Sequence, residues 1–242
     1  MPRRATVFAP GSIGNVGPGF DVLGLAVDGG MGGSAASSVA GALAAARAMG
    51  EDPSPSALME AALAGEAAVA GRHLDNIAAS VLGGLTLVRT TEPLDAVRIP
   101  LHDEWWVALV TPEVRVETRA ARALLPETWG RAEWVQQMAN TAALVHAFAT
   151  GDRELVRRSL DDRYAEPRRA SLIPRFAEVK GAALASGGLG CSISGSGPTV
   201  FALAADSAAA RRCASAMKAA FADTPASVHV GRVAEEGARE RP

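Results

Sequence analysis

The sequence predicts an α+β protein of two lobes, and three observations carry this. Strand-length apolar runs and longer helical patterns are mixed without the strict alternation of a parallel sheet. Glycine-dense turns separate the pieces. Around residues 92–104 the pattern becomes polar and irregular. A domain boundary is placed there, dividing the chain into lobes 1–100 and 101–242.

The elements follow in order. Residues 5–9 form a short β-like run ending at Pro10-Gly11, and residues 12–19 read as a glycine-rich loop. Residues 20–27 are apolar except for Asp21, and a dense glycine turn covers 28–33. Small and apolar residues fill 34–49, with Val39, Leu43 and Ala46 at helical spacing and Gly50 as a C-cap. Ser54-Pro55 opens a second helix reaching about residue 70, and Gly83-Gly84 leads into a strand at 85–89. In the second lobe, 105–111 reads as a buried strand. Helices are expected at 118–125, 131–150 and 152–160, and at 169–186 with a bend or restart at Pro174. Strand-like runs 191–194 and 199–204 flank Gly195-Ser196-Gly197-Pro198. A helix at 207–221 and a strand at 227–233 complete the pattern, and the polar tail after Glu235 is expected to be loose.

Composition narrows the function. The 24 basic and 26 acidic residues give a formal net charge of −2, so no general field draws in nucleic acid or an anionic membrane. Aromatic residues make up only 5%, too few for a base-stacking surface. Cys191 and Cys213 match no zinc spacing and no disulfide framework, which fits a reducing cytoplasm. The N-terminal apolar run breaks at Ala9-Pro10-Gly11, before a signal-peptide core forms. No apolar stretch reaches the roughly 18–20 residues that span a bilayer. A soluble cytoplasmic protein is expected.

Four patches could carry chemistry. In the first, Gly29 to Ser37 open the 34–49 helix. Glycines admit a ligand to the backbone, and the first helical N–H groups present unpaired donors to an anion. A phosphate site and a flexible turn with serine caps both remain open. The second joins Glu66 to Arg72-His73-Leu74-Asp75-Asn76, and reads either as a carboxylate for Mg²⁺ with polar groups for a hydroxyl, or as an Asx turn. The third pairs Asn15 with Asp21; an acid interrupting an apolar run needs a donor, from a ligand or from its own loop. The fourth sets Thr118 and Arg122 on one helix face beside Glu166-Pro167-Arg168-Arg169. Arginine forks suit a carboxylate, while Arg115, Arg119 and Arg168 read as solvated. The Gly195 to Pro198 turn is either a pocket lining or a plain β-connection.

Taken in order, these stretches resemble the homoserine kinase branch of the GHMP small-molecule kinases. The matching pieces are Ala9 to Asn15 with Gly19 to Gly24, Gly30 to Ser37, His73 to Asn76 with Leu82-Gly83-Gly84, Val116 to Arg122, Glu166 to Arg169, and Ser194 to Thr199. The resemblance implies a two-lobed α+β kinase with ATP and substrate sites between the lobes. It implies that Gly30, Met31, Gly32, Gly33, Ser34, Ala35, Ala36 and Ser37 hold ATP phosphates, and that Ser34 and Glu66 hold Mg²⁺. Asp21 and Asn15 are implied as the catalytic pair, Asp21 orienting the hydroxyl. His73, Asp75, Thr118, Arg122, Arg169 and Gly195 are implied to bind L-homoserine, and a homodimer is implied as the assembly.

The sequence also departs from that family. Its members carry a long segment between the strand ending near Val27 and the phosphate loop, holding further strands and part of the adenine pocket; here Asp28-Gly29 runs straight into Gly30. Gly33 replaces a serine, the Glu66–His73 spacing is one residue short, and Arg175 stands where glycine is usual. Two alternatives stay open: a GHMP kinase acting on mevalonate or a sugar, and an amino-acid-binding paralogue without catalysis.

Overall fold

The computed structural model describes residues 4–29, 33–67 and 71–241. It divides into two compact units, each with its own core. The first comprises Met1–Gly14, Asp21–Ile99 and Val233–Pro242; the second comprises Asn15–Phe20 and Pro100–Arg232. This differs from a division into 1–100 and 101–242 in two segments. The chain visits the second unit for six residues at Asn15–Phe20, and its C-terminal segment belongs to the first.

In the first unit, β2 (Gly11–Gly14), β3 (Leu23–Val27), β4 (Leu85–Thr91) and β5 (Leu94–Ile99) form an antiparallel sheet in that order. Helices α1 (Ser34–Met49), α2 (Pro55–Ala67) and α3 (Asp75–Leu82) supply Val39, Leu43, Leu58, Met59, Leu63 and Ile77 to a shared core with Val88. Each such aliphatic side chain contributes about 1.5–3 kcal/mol when fully buried. Helix α1 ends as expected, on Gly50 in the left-handed region with its N–H bonded to Ala46 and Arg47 carbonyls.

Four expectations in this unit change. Residues 12–14, read as loop, join Gly11 in β2 and pair with β3, burying Ile13. Asp75 and Asn76, read as loop, open the short helix α3. Residues 94–99, read as irregular, form the edge strand β5, whose exposed side chains hide the strand period. The tail is not loose: β10 (Arg239–Arg241) pairs antiparallel with β1 (Thr6–Phe8). The Phe8 ring lies beneath the guanidinium groups of Arg239 and Arg241, at 4.9 and 4.4 Å.

In the second unit, β6 (Trp106–Pro112), β7 (Gly190–Ile193), β8 (Val200–Ala204) and β9 (Ala226–Arg232) form an antiparallel sheet ordered β7-β8-β6-β9. Around it run α4 (Thr118–Ala123), α5 (Arg131–Thr150), α6 (Arg153–Ser159), α7 (Glu166–Arg169), α8 (Phe176–Ala185) and α9 (Ser207–Ala220). The core joins Val110, Val179, Ile193, Val200, Met217 and Phe221. The 169–186 stretch is broken as expected: α7 leads through a 3₁₀ turn at Ala170–Leu172, and α8 restarts after Pro174. Arg175 sits at φ 53, a left-handed backbone that a β-carbon disfavours and that glycine adopts without strain. Among the described residues, no helix is long and apolar enough to cross a membrane.

Close approach through glycine holds α3 to the sheet of the first unit. A β-carbon on Gly24 would stand 1.9 Å from the Asp75 carbonyl oxygen. Gly24→Ala is therefore expected to destabilise the protein by about 1–3 kcal/mol or more, measured as a lowered urea midpoint.

Candidate active site

In the first unit, α1 begins without a side-chain cap at Gly33 and with no acidic residue in its first turn. Its leading N–H groups and dipole present positive potential to an anion. At its first residue Ser34 Oγ donates to Glu66 Oε2 at 3.0 Å, and one turn in Ser38 Oγ donates to Glu66 Oε1 at 3.0 Å. Glu66 is buried, so its two oxygens are each held by a hydroxyl. One carboxylate with two hydroxyls is the sparse oxygen set that suits Mg²⁺ when phosphate oxygens and water complete the coordination. These residues therefore fit the metal that the sequence implies. Ser34 and Glu66 are brought together as expected; Ser38 was missed, although its spacing of four from Ser34 places both on one helix face. Gly30, Met31 and Gly32 lie outside the described residues. Gly33, Ala35, Ala36 and Ser37 are placed at the start of α1.

A second cluster of the first unit surrounds the start of α3. Asp75 is buried against β2 and β3: a β-carbon on Gly14 would stand 2.5 Å from Asp75 Oδ2 and 2.2 Å from Asn76 Nδ2. Ser12 Oγ donates to Asn76 Oδ1 at 3.0 Å. His73 Nδ1 lies 3.8 Å from Asp21 Oδ1. Asp21 has φ 56, and Asn15, where the chain enters the second unit, has φ 55. Asn and Asp tolerate this left-handed conformation better than other side chains.

In the second unit, the turn between β7 and β8 gathers three of the expected residues. The Gly195 carbonyl accepts from Asn15 Nδ2 at 3.1 Å and from Arg169 Nη1 at 2.8 Å. Arg169 is almost fully buried, and its Nε also donates to the Ala121 carbonyl at 3.4 Å. The guanidinium groups of Arg122 and Arg169 lie 5.0 and 5.2 Å from the Phe20 ring centroid. Thr118 Oγ1 and Ser196 Oγ are 3.2 Å apart. The two arginines thus share one aromatic platform, and Arg169 also reaches the Gly195 turn. Phe20 was not singled out from the sequence.

The protein-family comparison bears on this arrangement directly. Residues 18–84 match GHMP kinases N terminal domain, and residues 144–223 match GHMP kinases C terminal. The chain belongs to the GHMP kinase family. A homoserine kinase from Chlorobium phaeobacteroides is 42% identical over 198 residues; they make up 81% of this chain and 62% of the relative, so the chain spans about three fifths of that protein. A homoserine kinase from Pyrococcus abyssi is 35% identical over 263 residues, which cover 84% of this chain and 88% of the relative. That alignment is longer than this chain of 242 residues, so the relative carries residues without a counterpart here. A solved homoserine kinase from Cytophaga hutchinsonii has the same fold, with TM-score 0.92 and 32% identity over 97% of this chain and 96% of that one.

Glu166 of α7 makes a partly buried ion pair with Lys180, Nζ to Oε1 at 2.5 Å. Burial raises the Glu166 carboxyl above its ordinary pKa, and Lys180 opposes the shift. Burial also raises the thiols of Cys191 and Cys213, which stay protonated and weakly nucleophilic. A carboxyl with a raised folded pKa favours the folded state while protonated, and that contribution is lost as pH climbs through the raised value. Removing Lys180 raises Glu166 further. Lys180→Met is expected to destabilise by about 1–3 kcal/mol, with the gap in urea midpoint from wild type wider at about pH 8 than at about pH 5.

Proposed function

We propose that the chain is an ATP:L-homoserine O-phosphotransferase, a homoserine kinase of threonine biosynthesis. The arginine pair on Phe20 beside the Gly195 turn carries the choice of substrate: two planar forks suit an amino-acid carboxylate, which a sugar lacks. The relatives named homoserine kinase support the same reading. Thr118, Arg122, Arg169 and Gly195 serve the carboxylate. Asn15, His73 and Asp75 serve the amine and hydroxyl. Asp21 orients the hydroxyl as the new bond forms.

MgATP supplies the phosphoryl group. Gly30 to Ser37 would hold its phosphates by backbone N–H groups, and Ser34 with Glu66 would hold Mg²⁺. Phosphoryl transfer rests mostly on positioning and charge neutralisation, so this modest set of groups suffices. The reading takes the enzyme as a cytoplasmic homodimer, in a compartment where its two buried thiols stay free.

ADP release from MgATP is expected with L-homoserine and not with mevalonate or galactose, each added separately; absence of turnover with homoserine overturns the assignment. Arg169→Ala is expected to weaken homoserine use by about 2–5 kcal/mol, while the KM for MgATP stays near wild type. Equal loss for both substrates would remove Arg169 from the carboxylate site. Direct competition with an amino-acid-binding role without catalysis is resolved by calorimetry, which in that case shows homoserine binding without MgATP binding.

A further inference from the structure

Two buried polar side chains of the second unit have no place in the site described so far. Gln137 lies on α5 and Asp162 on the turn before α7, each more than nine-tenths buried. Gln137 Nε2 donates to the Pro18 carbonyl and to Asp162 Oδ1, both at 2.9 Å, and its Oε1 accepts from Arg163 N at 2.8 Å. One turn on, Thr141 Oγ1 also donates to the Pro18 carbonyl, at 3.0 Å. Asp162 Oδ1 accepts from the backbone N–H groups of Tyr164 and Ala165 at 2.8 and 3.0 Å, and its Oδ2 from that of Glu166 at 2.9 Å.

The consequences run in two directions. Pro18 lies in the six-residue segment that carries Asn15 and Phe20. The turn capped by Asp162 opens α7, which carries Arg169. Both segments meet again at Phe20, whose ring lies 5.1 Å from that of Tyr164 and 5.2 Å from the Arg169 guanidinium. An amide buried in this way has one orientation, since its donors and acceptor all have fixed partners. Gln137 and Asp162 bond to each other and to the backbone of the two segments, so any effect on substrate passes through others.

We propose that Gln137 and Asp162 are positioning residues: one side chain of α5 sets the Asn15–Phe20 segment and the Arg169 turn in mutual register, and so presets the arginine pair for its anionic substrate group. The substrate part rests on the homoserine kinase reading; the coupling of the two segments does not.

Two measurements on Gln137→Met, a change of similar volume, test the pair separately. Backbone hydrogen exchange is expected to quicken together at residues 16–20 and 164–166, by about tenfold, the scale of one or two buried hydrogen bonds lost. The sheet of the second unit should keep its protection. If only one segment or neither responds, or if the sheet loosens equally, the coupling is overturned. In kinetics, the KM for homoserine is expected to rise by about tenfold while that for MgATP is unchanged. Combination with Arg169→Lys should cost less than the two losses multiplied. Equal rises in both KM values, or strictly multiplicative losses, overturn the positioning role. Asp162→Asn, which keeps an acceptor for the turn but sets an N–H₂ against one backbone donor, should give the same KM pattern more weakly. Should the wild type fail to use homoserine, the substrate reading falls, and exchange still decides the coupling.

Discussion

A carboxylate taken out of water has to be met by donors, and the second unit is arranged around one that is. Asp162 collects three consecutive backbone N–H groups and a glutamine amide. Left unmet, such a charge would cost several kcal/mol; met this way, it fixes the path of the chain from Tyr164 to Glu166. Helix α7 starts from that path, and Arg169 projects from α7 to the Gly195 turn. The first unit uses the same solution at Glu66, whose two oxygens are held by two serine hydroxyls from α1. Asp75 is buried where strands thinned by glycine come close.

These placements give the proposed chemistry its economy. The α1 terminus and Glu66 are fixed by a helix pair with a shared aliphatic core. The Arg122 and Arg169 platform is fixed by α4, α7 and a hairpin turn. Little is left to long flexible side chains, so binding loses less entropy in ordering them. The left-handed backbones of Asn15 and Asp21 belong to the same pattern, since they mark where the chain enters and leaves its six-residue excursion.

Much of the fold was legible because it obeys local rules. Helix α1 has helical periodicity and a glycine stop, and β6 and β8 are continuous apolar runs of strand length. The elements that escaped depend on partners far along the chain. Strand β10 is Arg-Glu-Arg, polar throughout, and exists because β1 supplies hydrogen bonds and Phe8 a surface for two guanidinium groups. Strand β5 is an exposed edge with little period to read. Helix α3 begins with Asp-Asn, which reads as a turn until the glycines of β2 and β3 are seen against it. In the site, residue types and order carried the resemblance, but no spacing reveals that Ser34 reaches Glu66, or Asn15 Gly195. Gln137 was invisible for a plainer reason: a glutamine within a helix reads as solvated, and its burial is decided by Pro18 and Asp162.

The division of the chain also separates its chromophores. All four tryptophans, Trp105, Trp106, Trp129 and Trp134, and the single tyrosine, Tyr164, fall in the Pro100–Arg232 segment of the second unit. Intrinsic fluorescence therefore watches one unit and is nearly blind to the other, whereas far-ultraviolet circular dichroism sees the helices of both. Superimposed denaturation curves from the two signals would mean that the units melt as one cooperative block, and separated curves that each carries its own thermodynamic identity.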